Sequence, residues 1–87
     1  MTTPKIVEPF IVAAAIIDSN DVLRTREQPA RHTAIRSMIY ADNAAPAVEG
    51  FLTNEGVFVN RADAAEIAYR AGQVRWQPRE LTTLDLW

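Results

Sequence analysis

The chain has 87 residues, a formal net charge of -2, a hydrophobic fraction of 48% and no cysteine. That is one small domain, near the size where a single core barely suffices, and oligomerisation would help it. Disulfides and thiolate metal sites are excluded, one histidine makes a classical zinc site a poor fit, and the slight acidity argues against general nucleic-acid binding.

Residues from about Ile6 to Ile17 are rich in Ile, Val and Ala and read as a strand. The apolar run Phe10 to Ile17 is too short to span a membrane. It is followed by Asp18-Ser19-Asn20-Asp21, an acidic turn rather than a signal-peptide cleavage site. A cytoplasmic protein is expected. Val22 to Arg26 returns as the second strand of a hairpin. Pro29 suits the first turn of a helix, and Ala30 to about Tyr40 carries Ala34, Ile35, Met38 and Ile39 at helical spacing. Asp42-Asn43-Ala44-Ala45-Pro46 reads as a linker.

The block Gly50 to Gln73 is the most legible part of the chain. Phe51-Leu52-Thr53 and Val57-Phe58-Val59 suit two strands around an Asn54-Glu55-Gly56 turn. Asn60 is placed as an N-cap, Asp63 puts negative charge in the first helical turn, and Gly72 supplies the left-handed residue that closes the helix. Ala64, Ala65, Ala68 and Ala71 surround Ile67, so this helix should lie close against a sheet or another subunit. The expected fold is a single α+β domain, ββα-ββα, with a four-stranded antiparallel sheet and two helices. Residues 78–87 form a C-terminal tail whose Leu and Trp side chains should pack on the domain or on a neighbouring subunit.

Eight of the nine basic residues are arginine, and Arg24, Arg26, Arg31 and Arg36 fall within thirteen positions that hold only Glu27 as counter-charge. Guanidinium forks suit phosphate oxygens, and Arg31 and His32 fall near a helix start, where free N–H groups favour an anion. A solvated strand edge and helix face is the competing reading. His32 could act as a general acid or base, but no nucleophile motif accompanies it, and a hydrogen-bonding or capping role competes. Phe51 and Phe58 either pack across the second hairpin or offer one ring to a nucleobase, with Thr53, Asn54, Asn60 and Arg61 as polar contacts.

Ala13-Ala14-Ala15-Ile16, Arg31-His32-Thr33-Ala34-Ile35, the Gly50–Gln73 block and the final Leu84-Asp85-Leu86-Trp87 together resemble a family of small phage-encoded proteins. In that family an AAI-type strand, an RH-x-x-I helix start, a GF-x-T-x-x-G-x-F-x-x-R-x-x-A-x-x-IA-x-x-AGQ block and a terminal DLW or DLY recur in this order. Here Glu27-Gln28-Pro29-Ala30 replaces the usual Gly-containing entry to the first helix. The family is similar to the phage anti-Thoeris sponges, homo-oligomers that bind cyclic ADP-ribose isomers, and in some cases cyclic oligonucleotides, without cleaving them.

The resemblance implies a non-enzymatic counter-defence protein of the infected bacterial cytoplasm, needing no cofactor or metal, with its pocket at a subunit interface. It implies ligand contacts by Arg31, His32, Phe51, Thr53, Asn60 and Arg61; the arginine distribution adds Arg24, Arg26 and Arg36 as secondary phosphate candidates. The alternative is a phage accessory protein that binds and inhibits a host protein through its apolar tail.

Overall fold

The structure is a computed structural model and describes residues 9–87. Four strands and three helices follow in the order β1 (Ile11–Asp18), β2 (Leu23–Glu27), α1 (His32–Ala41), β3 (Pro46–Thr53), β4 (Phe58–Asn60), α2 (Arg61–Arg70) and α3 (Thr83–Leu86). The sheet is antiparallel throughout, in the order β2-β1-β3-β4. This is the ββα-ββα sheet and helix pair expected from the sequence, with one further short helix at the C-terminus. Ile6, Val7 and Glu8 of the expected first strand lie outside the described residues.

Two boundaries differ from the sequence reading. Helix α1 starts at His32 with Arg31 as its N-cap, so Pro29 lies ahead of the helix and outside its first turn. Strand β3 runs from Pro46, well before Phe51, because it pairs along β1 from Asp18 back to Ile11. The charged Glu49 and the flexible Gly50 hide that strand from a propensity reading. Tertiary pairing overrides the local signal.

The β1–β2 turn is built by Asp18, which is fully buried. One carboxylate oxygen accepts from the backbone N–H groups of Asn20 (2.8 Å) and Val22 (3.0 Å), and the other accepts from Arg24 Nε (3.1 Å). The Val22 N–H contributes most to holding this carboxyl below its ordinary pKa, against the opposing effect of burial. In the second hairpin the Thr53 hydroxyl accepts from the N–H groups of Glu55 and Val57, and Gly56 takes the left-handed φ of +78° that the turn requires.

Both main helices lie on one face of the sheet. Phe51 and Ala14 are register partners, and alternation along the strands puts Ile16 on their side. Ala14 and Ile16 pack with Ile35 and Ile39 of α1, whereas Ile11 and Phe51 pack with Ala64, Ala65 and Ala68 of α2 and with Leu81. The alanine face of α2 therefore meets the sheet. Asn60 Oδ1 accepts from the Asp63 N–H at 2.8 Å, starting the helix. Its end is a Schellman arrangement, with Gln73 N–H donating to Ala68 O, Gly72 N–H to Tyr69 O, and Gly72 at φ +76°.

After α2 the chain is clamped at three points. The Gln73 side-chain amide donates to Ile11 O and accepts from Ile11 N–H, both at 2.8 Å, and Leu81 is fully buried with its N–H on Arg61 O. The Trp87 indole N–H donates to Ala30 O at 3.0 Å, and its ring meets Phe51 edge-on. The tail is thus built into the domain, with Leu84 as its exposed apolar residue.

Candidate functional site

The starts of three helices converge on a cleft of about 230 Å³, lined by Arg31, His32 and Thr33 of α1, Arg36 one turn on, Arg61 of α2, and Thr82, Thr83 and Leu84 of α3. Four of the residues singled out from the sequence, Arg31, His32, Arg36 and Arg61, are brought together here. Spacing alone could not have joined Arg61 to the other three, because they sit on different helices and meet only when both helices settle on one sheet face.

Glu49 organises two of these cations. Its position on β3 pairs with Ile16, so its side chain rises between the helices. Oε1 accepts from Arg36 Nη2 at 2.8 Å and from Arg61 Nη2 at 2.6 Å, and Oε2 accepts from Arg36 Nε. Bonding to Arg36, aided by the Arg61 charge, pulls the Glu49 pKa down against the effect of burial. Three guanidiniums and the Glu49 carboxylate meet here, so positive charge is in excess among the side chains that line the cleft.

Arg31 is the cation with spare capacity, since among the described residues its side chain has a single polar contact, 3.4 Å to Thr83 Oγ1. Arg61 Nε is buried and, among the described residues, has no hydrogen-bond partner. The helix ends add to this field unequally. Asn60 and Asp63 complement the start of α2, and the Asp85 carboxylate accepts from the Thr82 N–H (2.9 Å) and hydroxyl (3.0 Å) at the start of α3. Helix α1 has no side-chain cap and no acidic residue in its first turn, so its amide dipoles add positive potential beside Arg31.

His32 is structural here. Its Nε2–H donates to Gly50 O at 2.7 Å, its ring meets Phe51 edge-on with centroids 5.0 Å apart, and it is almost fully buried. Burial, reinforced by the Arg61 and Arg36 charges, lowers its pKa, so the ring is held neutral. It latches the start of α1 to β3 and forms part of the cleft floor.

Other expected contacts are placed differently. Phe51 is fully buried between α2, His32 and Trp87, so it has no free face on which a base could stack. Phe58 lies on the other side of the sheet, over Gly50. The Thr53 hydroxyl is used in its own hairpin turn, and the Asn60 side chain is used as the α2 cap. Arg24 bridges Asp18 and Asp42 at the far end of α1, and Arg26 reaches Met38 Sδ. A ten-residue helix is about 15 Å long, which keeps this pair away from the cleft. The sequence reading missed Glu49 and the Thr82–Leu84 wall. Thr82-Thr83-Leu84-Asp85 is a capping-box pattern that would have revealed α3.

Fold and cleft together define a small two-layer α+β domain that presents an arginine-rich pocket at converging helix starts. Residues 10–87 match the family model described as phage T4 y16D protein, and the chain belongs to that phage protein family. No curated protein and no solved structure matches it. Among the described residues no helix is long and apolar enough to cross a membrane.

Proposed function

We propose that this phage protein binds the phosphates of a host nucleotide signal, a cyclic ADP-ribose isomer or a cyclic oligonucleotide, and sequesters it without cleaving it. The observation that carries the reading is the convergence of Arg31, Arg36 and Arg61 on one cleft beside the uncapped start of α1. Arg31 offers donors to phosphate oxygens, and Glu49 holds the Arg36 and Arg61 guanidiniums in fixed orientation. His32, almost fully buried with its Nε2–H committed to the Gly50 carbonyl, serves the fold. The tail is occupied by its own domain, which favours the cleft over the tail as the functional element.

Sequestration works by mass action, and nanomolar capture corresponds to about 12 kcal/mol. A charge-assisted hydrogen bond to an ion contributes roughly 1.5–3 kcal/mol, so Arg31→Ala should weaken binding by about 10- to 150-fold. The test is native mass spectrometry and calorimetry with cyclic ADP-ribose isomers and cyclic di- and trinucleotides. Intact nucleotide recovered after denaturation, with affinity lost in Arg31→Ala and falling with added salt, supports the proposal. No mass gain with any of these compounds, or recovery of a cleaved product, overturns it.

A further inference from the structure

Among the residues that line the arginine cleft, Leu84 of α3 is the apolar one, and the others are all charged or polar. It is 79% exposed, more than any other large apolar side chain among the described residues. A lone exposed leucine is ordinary on a protein surface. This one is fixed in the wall of a cleft from both sides. Before it, Leu81 is fully buried with its N–H on Arg61 O, Thr83 is buried, and the Thr82–Asp85 capping box sets the helix start. After it, Trp87 donates its backbone N–H to Thr83 O and its indole N–H to Ala30 O. Leu86 and Trp87 pack on the core, so the C-terminal helix directs its other apolar side chains inward and Leu84 to the cleft.

Volume and charge then divide the cleft into two parts. At about 230 Å³ it is smaller than the roughly 300–1,000 Å³ of pockets that enclose a whole small-molecule ligand. It can take part of a nucleotide and must leave the rest at its mouth, where Leu84 stands exposed. The Arg31 guanidinium lies 3.4 Å from the hydroxyl of Thr83, the residue next to Leu84, so cation and leucine are neighbours in the wall. Among the described residues no Phe, Tyr or Trp lines the cleft, and the ring of Phe51 is closed within the core.

We propose that Leu84 is the base-contacting residue of this cleft, with a phosphate held by Arg31 and the start of α1 and the flat face of the adjoining nucleobase lying on the leucine side chain at the mouth. The proposal rests on the nucleotide-binding function proposed for the cleft. It makes the site selective for a phosphate that carries a base over inorganic phosphate or pyrophosphate. Contact of this kind draws on area removed from water and not on charge, so it is insensitive to salt, whereas the Arg31 contribution is screened.

Calorimetry of the full chain with cyclic ADP-ribose isomers, cyclic di- and trinucleotides and inorganic pyrophosphate, at low and high salt, tests this. For the nucleotide that binds the wild-type chain, Leu84→Ala should lose about 10-fold in affinity, by the same factor at both salt concentrations, and Leu84→Met should recover most of it. Arg31→Ala should lose more at low salt than at high salt. Pyrophosphate should not distinguish Leu84→Ala from wild type. An unchanged thermal unfolding midpoint checks that Leu84→Ala, altered at an exposed position, is folded. Wild-type nucleotide affinity in Leu84→Ala overturns the inference and leaves the nucleotide-binding function standing. A loss that extends equally to pyrophosphate also overturns it, because the leucine would then act by placing Arg31. If no nucleotide binds the wild-type chain, the nucleotide-binding function itself fails and the inference falls with it.

Discussion

Replacing Gly50 by alanine probes the point where hairpin, helix latch and cleft meet. A Cβ at this position would lie 2.1 Å from the Val59 carbonyl oxygen and 2.7 Å from Phe58 Cζ. The phenyl ring can swing, but the carbonyl belongs to the backbone of β4, which pairs with β3 over only Gly50–Asn60, Phe51–Val59 and Leu52–Phe58. Relief therefore requires lifting part of a three-residue strand. Overpacking of this kind costs about 1–3 kcal/mol, and a backbone obstacle places Gly50→Ala at the upper end, about 3 kcal/mol.

At roughly 4–8 °C per kcal/mol for a domain of this size, the midpoint of thermal unfolding should fall by about 12–24 °C. Gly56→Ala is the control. Nothing lies within 4 Å of its added Cβ, but its φ of +78° is strained for an L-residue, and the expected cost is about 1–2 kcal/mol. Differential scanning fluorimetry with urea titration measures both. If Gly50→Ala is no more destabilising than Gly56→Ala, close approach of β4 is not what makes a glycine necessary there, and the reasoning fails.

Other substitutions separate the remaining contributions. Leu81→Ala, at a fully buried position in the C-terminal segment, should cost about 2–5 kcal/mol in urea unfolding if the tail completes the core. Asn60→Ala removes the α2 cap and should cost about 1 kcal/mol by the same assay. His32 has its pKa lowered in the fold, so the unfolded chain binds its proton more readily. Its contribution is present above the unfolded value of about 6.5 and is lost as pH falls below it toward the depressed folded value. Urea stability should therefore decrease from pH 7 to pH 5, above the range where Glu49 and Asp18 titrate, and His32→Gln should flatten that slope. An unchanged slope would assign the dependence to other groups.

The helix and hairpin punctuation was legible in the chain because it is written locally. Asn60 with Asp63, Gly56 and Gly72 each satisfy a backbone requirement within four residues, so their identities are informative without a fold. The arginine bias and the potential of Arg31 and His32 at a helix start were legible for the same reason. What the residues do to one another was settled by packing. Phe51 has the chemistry of a stacking platform and of a core residue alike, and only the convergence of α2, His32 and Trp87 upon it selects the core. Arg24 and Arg36 look equivalent in sequence, yet Arg24 of β2 is held by Asp18 and Asp42 at the C-terminal end of α1, whereas Arg36, one turn into that helix, is held by Glu49. Local conformational preference acts over one turn and is encoded residue by residue. A cleft assembled from three helix starts depends on contacts between positions up to about fifty residues apart, and those exist only once the sheet has brought the helices to one face.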